Sequence, residues 1–275
     1  QTSALAKTMG ISNKMALEQI KRLDENTKVL TQGLNKDMAA EIQKTFRELE
    51  AGLVAAGLSK EAAAEITKTS SEILADKDAL GKEQMKMTAM ISQGGAGGEA
   101  MQKAFADAGV SQTEALALMA RTQLVGFNNL SKEEKAKMQK ITAGSQIAQA
   151  VQMEAWQKIL DDPSKKNTKE YQEAMTRKLN ADTMGYKANS EVANSTNKDG
   201  IDKFYENMDL GKEVLQKLEK GENSTQDLNA ILISMGATDN NSRLAKMDEL
   251  IKAIPKEKES EFKDMIQSVA KLKKI

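Results

Sequence analysis

The side chains of this chain that could carry out chemistry are carboxylates, amines and hydroxyls, because the sequence contains neither histidine nor cysteine. Nucleophilic catalysis of the Ser-His-Asp or Cys-His kind needs an imidazole base. The usual zinc sites need histidine or cysteine ligands. We therefore expect a chain that is not an enzyme, with no catalytic residue, no metal site and no cofactor.

Two neighbouring carboxylates could act as a general acid and a general base, and Asp161 and Asp162 are the candidate pair. Pro163 follows them directly. Because proline stops a helix, we interpret the pair as a turn at a helix end. A cell-wall hydrolase that uses carboxylates alone remains an alternative function.

Two further patterns resemble ligand-binding loops but lack essential residues. The glycine run at 94–98 is followed by Glu99, whereas a phosphate-binding loop ends in Gly-Lys-Ser/Thr. The run beginning at Asp239 resembles the start of a calcium loop. It has Leu244 and Leu250 where such a loop has glycine and glutamate. We expect neither ligand to bind.

The composition indicates an all-α protein. Aromatic residues make up 3% of the chain, while apolar residues reach 40% and include sixteen methionines. Only two prolines interrupt long runs of strong helix formers. Period-two runs of β-branched residues are absent, so we expect no sheet. Scarce aromatics favour elongated helical hairpins or a thin bundle.

The charges are balanced, with forty Lys and Arg residues against forty Asp and Glu residues. A protein that binds nucleic acid concentrates positive charge on one face, so we expect no nucleic-acid patch. No stretch is apolar enough for a transmembrane helix. Gln1 in place of Met, and the lack of signal-peptide features, indicate a processed product or an excised part of a longer chain.

Several helix boundaries share the pattern Gly-aliphatic-Ser. In such a corner the glycine ends one helix, the aliphatic residue packs back on its last turn, and the serine caps the next helix. Ser111 has Glu114 three residues later, and Ser131 has Glu134, so both predict capping boxes. The corners are Gly10-Ile11-Ser12, Gly57-Leu58-Ser59, Gly109-Val110-Ser111 and, with Asn for Gly, Asn129-Leu130-Ser131.

Periodicity and these corners predict helices in three blocks. The blocks are 1–92, 99–180 with a long helix at 131–160, and 201–275, with a polar linker at 180–200 and a glycine joint at 94–98. The predicted helices are 12–32, 35–56, 59–75, 82–92, 99–108, 111–125, 131–160, 168–184, 201–220, 225–235, 242–254 and 256–273.

Three groups of residues are candidates for contact with partners. Apolar residues at steps of three and four form a helix-pairing seam, which suits an amphipathic hairpin within the chain or a homo-oligomer. Trp156 is either an interface anchor or a core residue. Methionines 85, 87, 90, 101 and 119 either form an adaptable surface or fill core gaps. The seam comprises Ala16, Ile20, Leu23, Leu30, Leu34, Met38, Ile42, Leu49 and Leu53.

The corners and the runs that follow them, at 60–65 and 112–117, resemble the tape measure proteins of phage tails. Residues 100–124, centred on Ala108-Gly109-Val110-Ser111, carry most of the likeness. The resemblance implies a structural role in the virion: setting tail length, meeting tail tube or baseplate proteins, and leaving at infection. Tape measure proteins are helical, rich in Ala, Lys, Gln and Met, and poor in Cys and aromatics.

A second hypothesis is a secreted or periplasmic helical bundle that binds a partner, of the adhesin or effector type. Solution behaviour separates the two hypotheses. A monomer with a cooperative melt favours the bundle, whereas concentration-dependent association or recovery from virions favours the tail component.

Overall fold

The computed structural model describes residue 25 and residues 27–219, and this part contains helices and no strand, which confirms the all-α class. A helical segment at 27–31 comes first. The helices that follow are α1 (Lys36–Ala55), α2 (Lys60–Ala75), α3 (Lys77–Gln93), α4 (Gly95–Asp107), α5 (Gln112–Val125), α6 (Lys132–Asp161), α7 (Lys169–Thr183), α8 (Ser190–Asp199) and α9 (Ile201–Glu219).

The long helix α6 is the centre of the fold. It contacts α1, α2, α3, α4, α5, α7 and α8. Every residue from Ile141 to Met153 is buried, so the middle of α6 faces protein on all sides. Small residues allow close approach there: a Cβ on Gly144 would lie 2.3 Å from the Cβ of Ala104 on α4.

Four buried glutamines of α6 each bond to a different neighbouring helix. A buried amide is costly unless it is hydrogen-bonded, so each contact fixes the position of one helix against α6. Gln139 Nε2 donates to Thr45 Oγ1 of α1, Gln146 Nε2 to Ser70 Oγ of α2, Gln149 Nε2 to Glu83 Oε1 of α3, and Gln152 Oε1 accepts from Gly97 N of α4.

The last described helix, α9, packs closely along α1. A Cβ on Gly211 would lie 2.2 Å from the Cβ of Ala55. On the facing side, a Cβ on Gly52 would lie 2.7 Å from the carbonyl oxygen of Met208. The two helix backbones therefore meet through glycines, and α9 also contacts α8 and α4.

The Gly-aliphatic-Ser corners at 57–59 and 109–111 have the expected structure. Gly109 has a φ of 67°, and Val110 N bonds back to the carbonyl of Phe105 at 3.0 Å, which is a Schellman motif. Ser111 forms the expected capping box with Glu114. The corner at Gly10 lies outside the described residues.

The corner at Asn129 differs from the expectation. Gly126, with a φ of 84°, takes the left-handed conformation in its place, and a 3-10 turn at Phe127–Asn129 follows. The reason is steric, because glycine enters that region without a Cβ clash. Ser131 still caps α6 in a capping box with Glu134, as expected.

The expected linker at 180–200 contains a helix, α8. Asn189 caps it by accepting from the backbone amides of Glu191 and Val192. Val192 and Thr196 are buried on one face, so tertiary burial stabilises a helix whose polar composition predicts none. The glycine joint is also ordered, since residues 95–98 form the first turn of α4.

One continuous hydrophobic core contains residues from each of the three predicted blocks, from Leu30 to Met208. Blocks 1–92 and 201–275 meet where α1 packs on α9. Of the third block, only residues up to 219 are described.

Candidate functional site

The described part of the helix-pairing seam lies mostly inside the fold. Leu30, Ile42, Leu49 and Leu53 are buried, whereas Leu34 and Met38 are partly buried. Helix α1, which carries Met38, Ile42, Leu49 and Leu53, packs against α9, α2 and α6 of the same chain. Ala16, Ile20 and Leu23 lie outside the described residues.

Trp156 is packed inside the chain. Its exposed fraction is 5%, and its ring stacks on that of Tyr186 with centroids 6.5 Å apart. This position corresponds to the core-packing interpretation of Trp156. Tyr186 also closes the turn after α7 as a Schellman motif, because its N–H donates to the carbonyl oxygen of Ala181 at 2.9 Å. The Trp156 ring stabilises this turn by packing on Tyr186.

The methionines divide between core and surface. Met87, Met90, Met101 and Met119 are fully buried, as expected for residues that fill gaps between helices. Met85, by contrast, is 60% exposed. Further exposed apolar residues lie on α7.

We name Met175 and Leu179 the α7 surface. Leu179 is 65% exposed and Met175 51% exposed. They stand one turn apart on α7, which buries only Ala174 and Ala181. Two exposed apolar side chains on one face of α7 make it the candidate interaction surface of the described residues.

Two hydrogen bonds hold the turn at the end of α7 against α3. Lys86 Nζ donates to the carbonyl oxygen of Gly185 at 2.8 Å. Tyr186 donates its hydroxyl to the carbonyl oxygen of Lys86 at 3.1 Å. The turn at the C-terminal end of α7 is therefore fixed against α3.

Lys86 connects this turn to a buried polar network around Glu83. The Glu83 carboxylate accepts from Ser145 Oγ at 2.7 Å and from Gln149 Nε2 at 2.6 Å, and lies 3.4 Å from Lys86 Nζ. Burial, and secondarily the Glu83 charge, raises the pKa of Tyr186 to about 12, so its hydroxyl stays a donor at neutral pH.

A second apolar surface surrounds a pocket of about 200 Å³. Val29, Leu30, Leu74, Leu80 and Phe127 line the pocket together with polar groups of the neighbouring turns. Leu124 and Val125, just before the lining residue Gly126, are exposed. The pocket is large enough for one bulky side chain.

The carboxylate pair at 161–162 forms a turn, as expected. Asp162 accepts from Ser164 N at 2.9 Å and from Ser164 Oγ at 2.7 Å. These bonds hold the pKa of Asp162 below its usual range, whereas a general acid needs a raised pKa. The calcium-like run at Asp239 lies outside the described residues.

The described residues contain no group of three or more potential metal ligands arranged to hold an ion. Within the same part of the chain, no helix is both long and apolar enough to cross a membrane.

Sequence reasoning singled out Met85 but missed Met175 and Leu179. A signal was present: Thr168, Gln172, Met175 and Leu179 are uncharged residues at steps of four, three and four. The stripe was overlooked because only two of its members are apolar.

Comparison of the chain with protein-family models, curated proteins and solved structures gave no match.

Proposed function

We propose that this chain is a non-enzymatic structural protein that assembles through the α7 surface, and specifically a segment of a phage tail tape measure protein in the virion. The tail assignment is supported by the Gly-aliphatic-Ser corners and by the Ala- and Met-rich helices they join. The assembly role is supported by the α7 surface.

The observation that carries the proposal is the exposure of Met175 and Leu179 on a helix whose C-terminal turn is hydrogen-bonded to α3. Burying either side chain against a partner is worth about 1.5–3 kcal/mol. The other members of the stripe, Thr168 and Gln172, are uncharged, and the charged neighbours Lys178 and Asp182 already pair with each other at 3.6 Å. Tyr186 and the Glu83 network hold the turn after α7 in place, which limits the entropy that binding must remove.

The partner we propose is a second copy of the chain. In an antiparallel pair of α7 helices related by a two-fold axis, Met175 of one copy meets Leu179 of the other. The same arrangement brings the Lys169 end of one helix to the Asp182 end of the second copy, where their charges are opposite. Tail tube or baseplate proteins are the further partners that a tail location implies.

Sedimentation velocity across a range of protein concentrations tests the self-association. The substitution Leu179→Glu should abolish association, because it places a charge at the centre of the proposed contact. Asn180→Glu is the matched control, since Asn180 is also exposed on α7 but points away from the Met175 and Leu179 stripe. A chain that remains monomeric at every concentration, or equal effects of the two substitutions, would contradict self-association.

The tail assignment needs a separate measurement. Quantitative mass spectrometry of purified virions should recover the chain at a fixed, low copy number per tail. Particles examined after infection should have lost it. Absence of the chain from virions would refute the tail assignment and leave the test of self-association unaffected.

A second candidate function is a secreted or periplasmic helical bundle that binds a partner. The observation that favours it is the single core around α6, which resembles that of an independently folded domain more than that of an extended filament. A cooperative melt of a monomer, together with absence from virions, would favour this candidate.

A further inference from the structure

Methionine is the side chain of this protein that a mild two-electron oxidant attacks. The sequence contains sixteen methionines and no cysteine, so no thiol competes for the oxidant. The methionine sulfur attacks the outer oxygen of a hydroperoxide, and the O–O bond breaks as an S–O bond forms. The proton moves to the leaving oxygen, which departs as water or an alcohol. The product is methionine sulfoxide, which is polar where the thioether was apolar.

Burial separates the described methionines into protected and accessible ones. The fully buried ones are Met87, Met90, Met101, Met119 and Met138. Met85 is 60% exposed, Met175 51% and Met184 38%. Because an oxidant must reach the sulfur, these three should react well before the buried ones while the fold is intact.

Of the three exposed methionines, Met175 belongs to the α7 surface. Met85 lies on α3, and Met184 follows the end of α7. Met175 stands one turn before Leu179, on a helix that buries only Ala174 and Ala181. Oxidation of Met175 therefore needs no opening of the fold and changes the centre of the proposed contact.

The sulfoxide changes what Met175 can pack against. Its oxygen is a hydrogen-bond acceptor, and burying an acceptor without a donor costs free energy. In the two-fold pair of α7 helices, Met175 of one copy meets Leu179 of the other, whose side chain carries no donor. The oxidised side chain is therefore more stable in water than in the contact.

We propose that Met175 is an oxidative modification site that controls assembly: the chain associates while Met175 is a thioether and separates once a hydroperoxide has converted it to the sulfoxide. This inference rests on the proposed self-association through the α7 surface. Methionine sulfoxide reductases reverse the change with a dithiol, which is oxidised to a disulfide while the oxygen leaves as water.

The expected effect is large because a two-fold contact contains Met175 twice. One unpaired buried acceptor weakens association by about tenfold or more. Oxidation of both copies should therefore raise the dissociation constant by about a hundredfold, and oxidation of one copy by about tenfold.

Partial oxidation of the full, unsubstituted chain with hydrogen peroxide tests the proposal. Size-exclusion chromatography separates monomer from dimer, and peptide mass spectrometry measures the sulfoxide content of each methionine in both fractions. Met175 sulfoxide should be enriched in the monomer, whereas Met85 sulfoxide should be distributed equally. Trp156 fluorescence should stay unchanged, since the fold remains intact.

Two substitutions assign the response to one sulfur, and each treated variant is compared with its own untreated sample by sedimentation velocity. Met175→Leu removes the sulfur, so peroxide should leave its association constant unchanged. Met85→Leu is the matched control, because Met85 is equally accessible but lies outside the α7 surface. This variant should keep the full response to peroxide, and reduction with methionine sulfoxide reductases should restore its association.

The outcomes separate this inference from the proposed function. An untreated chain that stays monomeric at every concentration would overturn both. Association of the untreated chain with equal Met175 sulfoxide content in monomer and dimer would overturn the oxidative control alone. A response of Met175→Leu to peroxide as large as that of the unsubstituted chain would also overturn it.

Discussion

The contact between α6 and α4 at Gly144 permits a test with a worked magnitude. An alanine methyl at position 144 would lie 2.3 Å from the Cβ of Ala104 and 3.1 Å from the hydroxyl oxygen of Tyr205. Carbon atoms pack at about 3.5–4.0 Å, so the two helices must separate by about 1.5 Å. The relevant Ala104 atom is attached to the backbone and cannot rotate away.

Two opposing effects determine the stability of Gly144→Ala. Replacing glycine by alanine inside a helix contributes about 0.8–1.0 kcal/mol of stability. Overpacking a close-packed core costs about 1–3 kcal/mol, and the rigid contact favours the upper end. We expect a net loss of about 2 kcal/mol in the free energy of unfolding, measured by urea denaturation with Trp156 fluorescence.

Gly81→Ala is the matched control for Gly144→Ala. Gly81 lies within α3, and an added Cβ would meet only the Gln123 amide at 3.9 Å. Here the helix propensity acts alone, so we expect a gain of about 0.5–1 kcal/mol. The double substitution Gly144→Ala with Ala104→Gly should show positive coupling because it removes the clash. Stabilisation of the chain by Gly144→Ala would refute the close packing of α4 on α6.

Three further substitutions test the polar groups of the fold. Glu83→Ala should lower the free energy of unfolding by about 3 kcal/mol, measured by urea denaturation, because it leaves Lys86 without its carboxylate. Glu83→Gln should lower it by less, and equal losses for the two variants would argue against an ionic role of Glu83. Alkaline difference absorbance should show Tyr186 ionising near pH 12, and the substitution Tyr186→Phe assigns that signal. The contribution of Tyr186 to stability should be present below pH 10.0 and be lost as pH rises through the raised pKa. Ionisation of Tyr186 at pH 10.0 would contradict its burial. Ser131→Ala should destabilise the chain by about 1 kcal/mol in the same denaturation assay through the lost α6 cap. In that variant, carboxyl NMR should still find the pKa of Glu134 below its usual range, because the larger cause is the bond from the Ser131 backbone; a return to the ordinary pKa would contradict that assignment.

Local signals predicted the helices well, because caps and corners depend on residues close in sequence. The pattern Ser111 to Glu114 set the start of α5, and the long helix expected at 131–160 is α6. α8 was missed because its stability comes from burying Val192 and Thr196 against other helices. Helices whose stability is tertiary leave little trace in the sequence.

Helix pairing was harder to predict than helix position. The seam on α1 indicates that a partner exists, but nothing in its periodicity identifies α9, which lies far along the chain. The contact depends on Gly52 and Gly211. In a sequence, a glycine that allows two helices to approach closely cannot be distinguished from a glycine that forms a turn. The same ambiguity made the run at 94–98 look like a joint, although Gly97 packs against Gln152.

The low aromatic content, which favours a thin structure, proves compatible with a packed core because α6 uses polar side chains to organise it. Leucine and methionine contacts tolerate small shifts between helices, whereas a buried amide must meet its partner at hydrogen-bond distance. Gln139, Gln146, Gln149 and Gln152 place such bonds on four different helices. In a core with few large, rigid rings, these bonds restrict each helix to one position along α6. The glutamines that lower the apparent amphipathicity of α6 are thus the residues that make its surroundings specific.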